Sequence, residues 1–160
     1  MRNYLTITIL LIIVGCSVSK KTSAVNPFQG DTVGCGNFIV YRFSEDGDQY
    51  ISVSFNANEV EFEDSFERIN AQYIEVKWEK FAGDMRSAIC NDVMGEKPNQ
   101  LMDQIAKSGS VSIRVNEAEQ KKKENNEAYK VTVTLKDLVF ENLSVDYLQI
   151  ENVVVGWLPG

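Results

Sequence analysis

The chain has no histidine in its 160 residues. That removes Ser-His-Asp and Cys-His nucleophilic catalysis, imidazole acid–base chemistry and most zinc and non-haem iron sites. The chemistry that remains belongs to carboxylates, aromatic rings and three cysteines, Cys16, Cys35 and Cys90. Glu45, Asp46 and Asp48 surround Gly47 and could offer oxygens to a hard cation. The run lacks the downstream bidentate glutamate of a complete calcium loop, so it reads better as a solvated turn. Glu59, Glu61, Glu63 and Asp64 are denser. They could form an acidic binding face, or a charged edge strand that discourages sheet-to-sheet association. Lys121–Lys123 reads as a solvated loop. Tyr41, Tyr50, Tyr73, Trp78, Tyr129, Tyr147 and Trp157 could stack on sugar rings, but most fall in phase with core positions. Tyr50 and Tyr73 fall on the outer faces of their strands and are the better exposed binding candidates. No cofactor motif and no metal-ligand set is recognisable, and no catalytic residue is assigned. A glycosidase would need two carboxylates about 5 to 9 Å apart in a cleft, which a sequence cannot display.

The delivery of these groups is written at the start of the chain. Arg2 supplies a basic head, and Tyr4 to Val14 is an apolar run of 11 residues. A spanning helix needs about 20, so this run has the length and order of a secretory signal. Its end, Ile13-Val14-Gly15-Cys16, resembles the lipobox of bacterial lipoproteins. The resemblance covers residues 1–16 and implies a diacylglycerol on the Cys16 thiol, cleavage between Gly15 and Cys16, and acylation of the new amine, typically by palmitate. Two or three chains anchor a protein stably where one holds only marginally. By the same resemblance Ser17, standing where inner-membrane lipoproteins carry Asp, points to the outer membrane, with the domain in the periplasm or on the cell surface. An oxidising compartment and a lipidated Cys16 leave Cys35 and Cys90 as a pair, naturally a disulfide. Two buried thiols are the alternative.

The expected organisation is a signal peptide over 1–15, a lipidated flexible tether over 16–33 and a single domain over 34–160. Residues 1–15 carry one charge, Arg2, so the remaining 145 residues hold 15 basic and 23 acidic side chains, a net charge of −8. That balance opposes nucleic-acid binding, which needs clustered cations, and leaves the lipid to hold the protein at the membrane.

Residue periodicity predicts strands almost throughout. Cys35 to Phe43 is nearly continuously apolar and suits a central strand covered on both faces. Asp46-Gly47 marks a hairpin, and Tyr50 to Phe55 alternates with Ile51, Val53 and Phe55 inward. A short strand follows Asn56. Gln72 to Glu79 turns Ile74, Val76 and Trp78 inward. Asn99 to Lys107 places Leu101, Met102 and Ile105 at helical spacing after Pro98, predicting a short helix. Ser110 to Asn116 alternates with Ser112 and Arg114 outward, and 117–127 reads as a hairpin tip. In the last two strands the apolar phase slips by one, near Lys136-Asp137 and Glu151-Asn152, predicting bulges or crossings between sheets. The fold class is therefore all-β, an antiparallel β-sandwich of about seven to nine strands with a disulfide that could join the sheets; a small β-barrel is the alternative.

The expected function is a non-catalytic, lipid-anchored envelope module that binds an envelope protein, a peptide or a glycan. The alternatives are an acidic inhibitor of a basic enzyme such as a lysozyme, steered by charge, and a glycan-binding accessory protein.

Overall fold

The computed structural model describes residues 26–56, 59, 66–69, 72–91, 96–116 and 128–156. Nine strands build two antiparallel sheets: β1 Thr32–Cys35, β2 Ile39–Phe43, β3 Gln49–Phe55, β4 Glu67–Arg68, β5 Ile74–Phe81, β6 Gln100–Ile105, β7 Ser108–Val115, β8 Ala128–Val139 and β9 Ser144–Gly156. One sheet has the order β1-β2-β3-β5-β6, the other β4-β7-β8-β9. The all-β sandwich expected from the alternation is the architecture found.

The core lies between the sheets. Alternate residues of each strand enter it: Ile51, Val53 and Phe55 from β3, Ile74 and Val76 from β5, Val111 and Ile113 from β7, Val131, Val133 and Leu135 from β8. Burying each such side chain contributes about 1.5–3 kcal/mol. The hairpin read from Asp46-Gly47 is present. β2 pairs with β3 from Phe43↔Tyr50 to Ile39↔Ser54, and Gly47 turns at φ +73°, where a side chain would be strained.

The phase slips are bulges within one sheet, not crossings. Asp137 and Asn152 adopt φ of 52° and 55°. Around them buried Leu135 gives way to buried Leu138, and Ile150 to Val153, so one irregular residue returns the apolar set to the core.

Four expectations are corrected. Residues 99–107 are not helical: Gln100–Ile105 form edge strand β6 against β5, leaving Leu101 and Ile105 exposed. The apolar segment 35–43 is two strands, with β1 at the edge and a turn before β2. Residues 26–33 belong to the domain rather than the tether, because Phe28 is fully buried in the core and β1 begins at Thr32. The Cys35–Cys90 disulfide exists, but it ties β1 to the β5–β6 connection and does not join the two sheets.

That connection explains a second apolar cluster. Residues 82–91, including a 3-10 turn at Arg86–Ala88, cross the outer face of the five-stranded sheet. Met85 is inserted among Phe43, Tyr50 and Phe81. The crossing is held by Met85 N–H donating to the Gly47 carbonyl at 2.9 Å and Ala82 N–H to Asn99 at 2.9 Å. Arg86 binds both carboxylate oxygens of Asp84 and reaches Asp31 at 3.4 Å.

Candidate functional site

Among the described residues, the binding candidates chosen from sequence do not assemble into a site. Tyr50 is 5% exposed and is the hub of the second cluster, with ring centroids 5.2 Å from Tyr41, 5.4 Å from Phe43 and 5.7 Å from Phe81. Its hydroxyl donates to Glu79, and burial followed by the Glu79 charge pushes its pKa far up. Burial also raises Glu79, with the Tyr50 hydrogen bond pulling the other way. Tyr73 is half-buried against the main core. Both tyrosines are therefore packing residues. Glu59 is exposed in a turn, its N–H bonded to the Asn56 carbonyl at 3.0 Å; Glu61 and Glu63 lie outside the described residues, as do Cys16, Trp157 and Lys121–Lys123. Of the acidic turn, Asp48 accepts from Ser44 Oγ at 3.1 Å and faces Lys80 at 3.7 Å. Among the described residues no three His, Cys, Asp or Glu side chains are grouped to hold a metal.

A different surface carries the chemistry. The outer face of the four-stranded sheet holds a groove of about 230 Å³. Its floor follows from the alternation that fills the core: if Val111, Ile113, Val131, Val133 and Leu135 point in, Ser112, Arg114, Thr132, Thr134 and Lys136 point out. Register then sets them in rows across the sheet. Ser112 lies beside Thr134, and Thr134 beside Gln149; Arg114 lies beside Thr132; Lys136 lies beside Tyr147. Phe66, immediately before β4, extends the Ser112 row by one place.

The groove thus has a hydroxyl and amide floor between two aromatic walls. Phe66 is 42% and Tyr147 51% exposed, whereas Ser112 and Thr132 are buried at 7% and 5%. Four contacts order it. The Lys136 Nζ sits 3.7 Å above the Phe66 ring centroid. The Tyr147 hydroxyl donates to Gln149 Oε1 at 3.0 Å. Beyond Thr132, Asn116 Nδ2 bonds Thr132 Oγ1 at 3.4 Å and Asn152 Oδ1 at 2.7 Å, the latter on the β9 bulge. Among the described residues, the lining includes two cations, Arg114 and Lys136, and no carboxylate. The described lining offers hydroxyls, an amide, two cations and two rings, groups that hydrogen-bond and stack.

No family model, curated protein or solved structure matches this chain.

The site was half legible. The outward placement of Ser112 and Arg114 follows from sequence, and Tyr147, the neighbour of inward Leu148, is exposed on the same face. The β8–β9 register is continuous here and sets Tyr147 beside Lys136. The signal available was the composition of one face, S-x-R on β7 and T-x-T-x-K on β8, rather than any contiguous motif.

Proposed function

We propose that the protein is a lipid-anchored cell-envelope module that binds a glycan non-catalytically through the outer face of its four-stranded sheet. The observation that carries the reading is the groove: two exposed rings, Phe66 and Tyr147, flank a floor of Ser112, Thr132, Thr134 and Gln149. Rings stack on the apolar faces of sugars, while hydroxyls and amides both donate and accept, as sugar hydroxyls require. The volume of about 230 Å³ is below the range of about 300–1,000 Å³ usual for drug-sized ligands. It suits one sugar-sized unit of a longer chain.

The anchor rests on the lipobox-like Ile13-Val14-Gly15-Cys16. Among the described residues no helix is long and apolar enough to cross a membrane, and this reading assigns membrane attachment to the lipid. The cationic lining favours a glycan over a basic enzyme as the occupant of this face, since like charges would oppose docking there.

The test is binding of the full chain, in detergent micelles, to immobilised envelope glycans, compared with Tyr147→Ala. Retention that falls at least fivefold in the variant, with its thermal transition unchanged, supports the reading. Equal retention of the two proteins, or none by either, contradicts it.

A further inference from the structure

The disulfide joins a fixed end to a loose one. Cys35 is half-buried on β1, and its neighbour Gly34 lies too close to the Val154 carbonyl of β9 to carry a side chain. Cys90 is exposed, one residue before the end of the crossing segment 82–91. Its backbone sits at φ 54°, a left-handed conformation that is unfavourable for a residue with a β-carbon. We propose that the Cys35–Cys90 bond is a reversible clasp, which a dithiol opens in the folded protein to release residues 87–91 from the outer face of the five-stranded sheet.

The crossing segment is anchored in two unequal halves. The first half is built into the fold without the bond. Met85 is buried among Phe43, Tyr50 and Phe81, and its N–H donates to the Gly47 carbonyl at 2.9 Å. Arg86 pairs with Asp84 at 2.6 Å and with Asp31 at 3.4 Å. The second half turns on itself: Ala88 N–H donates to the Met85 carbonyl at 3.0 Å and Asn91 Nδ2 to the Ser87 carbonyl at 3.3 Å. Ala88 and Ile89 add a half-buried apolar contact with the aromatic cluster, and the disulfide ties this half covalently to β1. Cutting the bond leaves Met85 seated. It also lets Cys90 relax out of its left-handed backbone, which favours release of 87–91.

The chemistry is thiol–disulfide exchange. One thiolate of the dithiol attacks the sulfur of exposed Cys90; the Cys35–Cys90 bond breaks, and Cys35 leaves as a thiolate that takes a proton from water. The second thiol of the reductant then displaces Cys90. Two electrons and two protons have passed to the protein, and the dithiol ends as its own disulfide. Exposed disulfides are open to such attack, whereas buried ones must wait for the fold to open. What the exchange uncovers is apolar. Ala88 and Ile89 withdraw from the cluster of Phe43, Tyr50 and Phe81, against which Val33 and Tyr41 also pack. The reduced protein thus shows a hydrophobic patch that the oxidised one covers, on the face of the sandwich remote from the groove.

The experiment treats the full chain in uncharged detergent micelles with dithiothreitol, then alkylates it and weighs the peptides that carry Cys35 and Cys90. Reduction without denaturant, at a rate proportional to dithiothreitol and indifferent to dilute urea, is expected of an accessible bond. Amide exchange of the reduced, alkylated protein should quicken at least about tenfold over 87–91 while β3, β5, β7 and β8 stay protected. Reduced protein left unalkylated and given oxidised glutathione should regain both the bond and the slow exchange. A reduction rate that rises steeply with urea, or levels off as dithiothreitol increases, means that the bond opens only on global unfolding and overturns the proposal. Unchanged exchange over 87–91 overturns the release. Loss of protection in all four strands shows a bond that holds the whole fold, and failure to re-form it shows that the step is not reversible; either overturns the clasp.

Discussion

At the scale of single residues, Tyr50 and Glu79 show how a surface position becomes a packed one. Glu79 lies directly across from Tyr50 on the neighbouring strand and accepts its hydroxyl, while burial raises the carboxyl above its ordinary 4.5. A carboxyl raised in the folded protein is more readily protonated there than in the unfolded chain. Its contribution to stability is therefore complete below about pH 4.5 and is lost as the pH rises through the higher folded value. Urea midpoints taken from pH 4 to 8 should decline more steeply in the wild type than in Glu79→Gln, which cannot ionise but keeps an acceptor for Tyr50. Parallel curves would contradict this assignment. Core positions are simpler. Leu135 is fully buried, and Leu135→Ala should cost about 2–5 kcal/mol, read from the urea midpoint at constant slope. At Cys16 the expectation is chemical: protein extracted from membranes should have the mass of residues 16–160 plus acyl chains, and Cys16→Ala should leave the signal uncleaved and unlipidated.

At the scale of elements, the strands that alternate strictly were legible, because one face of each is dry and the other is not. This is why the β2–β3 hairpin, β5, β7 and the slips at Asp137 and Asn152 could be read from the chain. What could not be read was the covering of an outer face by a distant loop. Residues 82–91 have no periodicity, and only their contact with Phe43, Tyr50 and Phe81 turns that face into a second core. Edge strand β6 failed for a related reason. Its exposed Leu101 and Ile105 sit four apart, a spacing that helices and strands share, and the pairing with β5 decided between them. The Cys35–Cys90 bond, which closes 55 residues of sequence separation, adds a covalent tie at the end of the crossing loop. Cys35→Ala/Cys90→Ala should lose about 4 kcal/mol by the loop-entropy argument. Amide exchange should quicken first at 87–91, the part of the crossing that lies beyond Met85 and next to the bond.

At the scale of the whole molecule, the two sheets divide the work. The five-stranded sheet has one outer face largely closed by its own loop and stapled at β1. The outer face of the four-stranded sheet presents Ser, Thr, Arg, Lys, Gln and Tyr among the described residues. β1 also approaches β9 so closely that a side chain at Gly34 would run into the Val154 carbonyl, which keeps the two sheets together along that side. Gly34→Ala should therefore lower the thermal midpoint by several degrees without altering the groove. The proposed binding face was hidden in the sequence because its members come from three strands and a loop, separated by up to 83 residues between Phe66 and Gln149, and no local pattern joins them.

The account stands most directly on where a bound glycan lies. Amide hydrogen exchange of the full chain in micelles, with and without saturating envelope glycan, locates it. Slowed exchange confined to 112–114, 132–136 and 147–149 is the expected result. Protection on β2, β3 and β5 instead, or protection nowhere while the saccharide is bound, would contradict the assignment of the four-stranded sheet as the binding face.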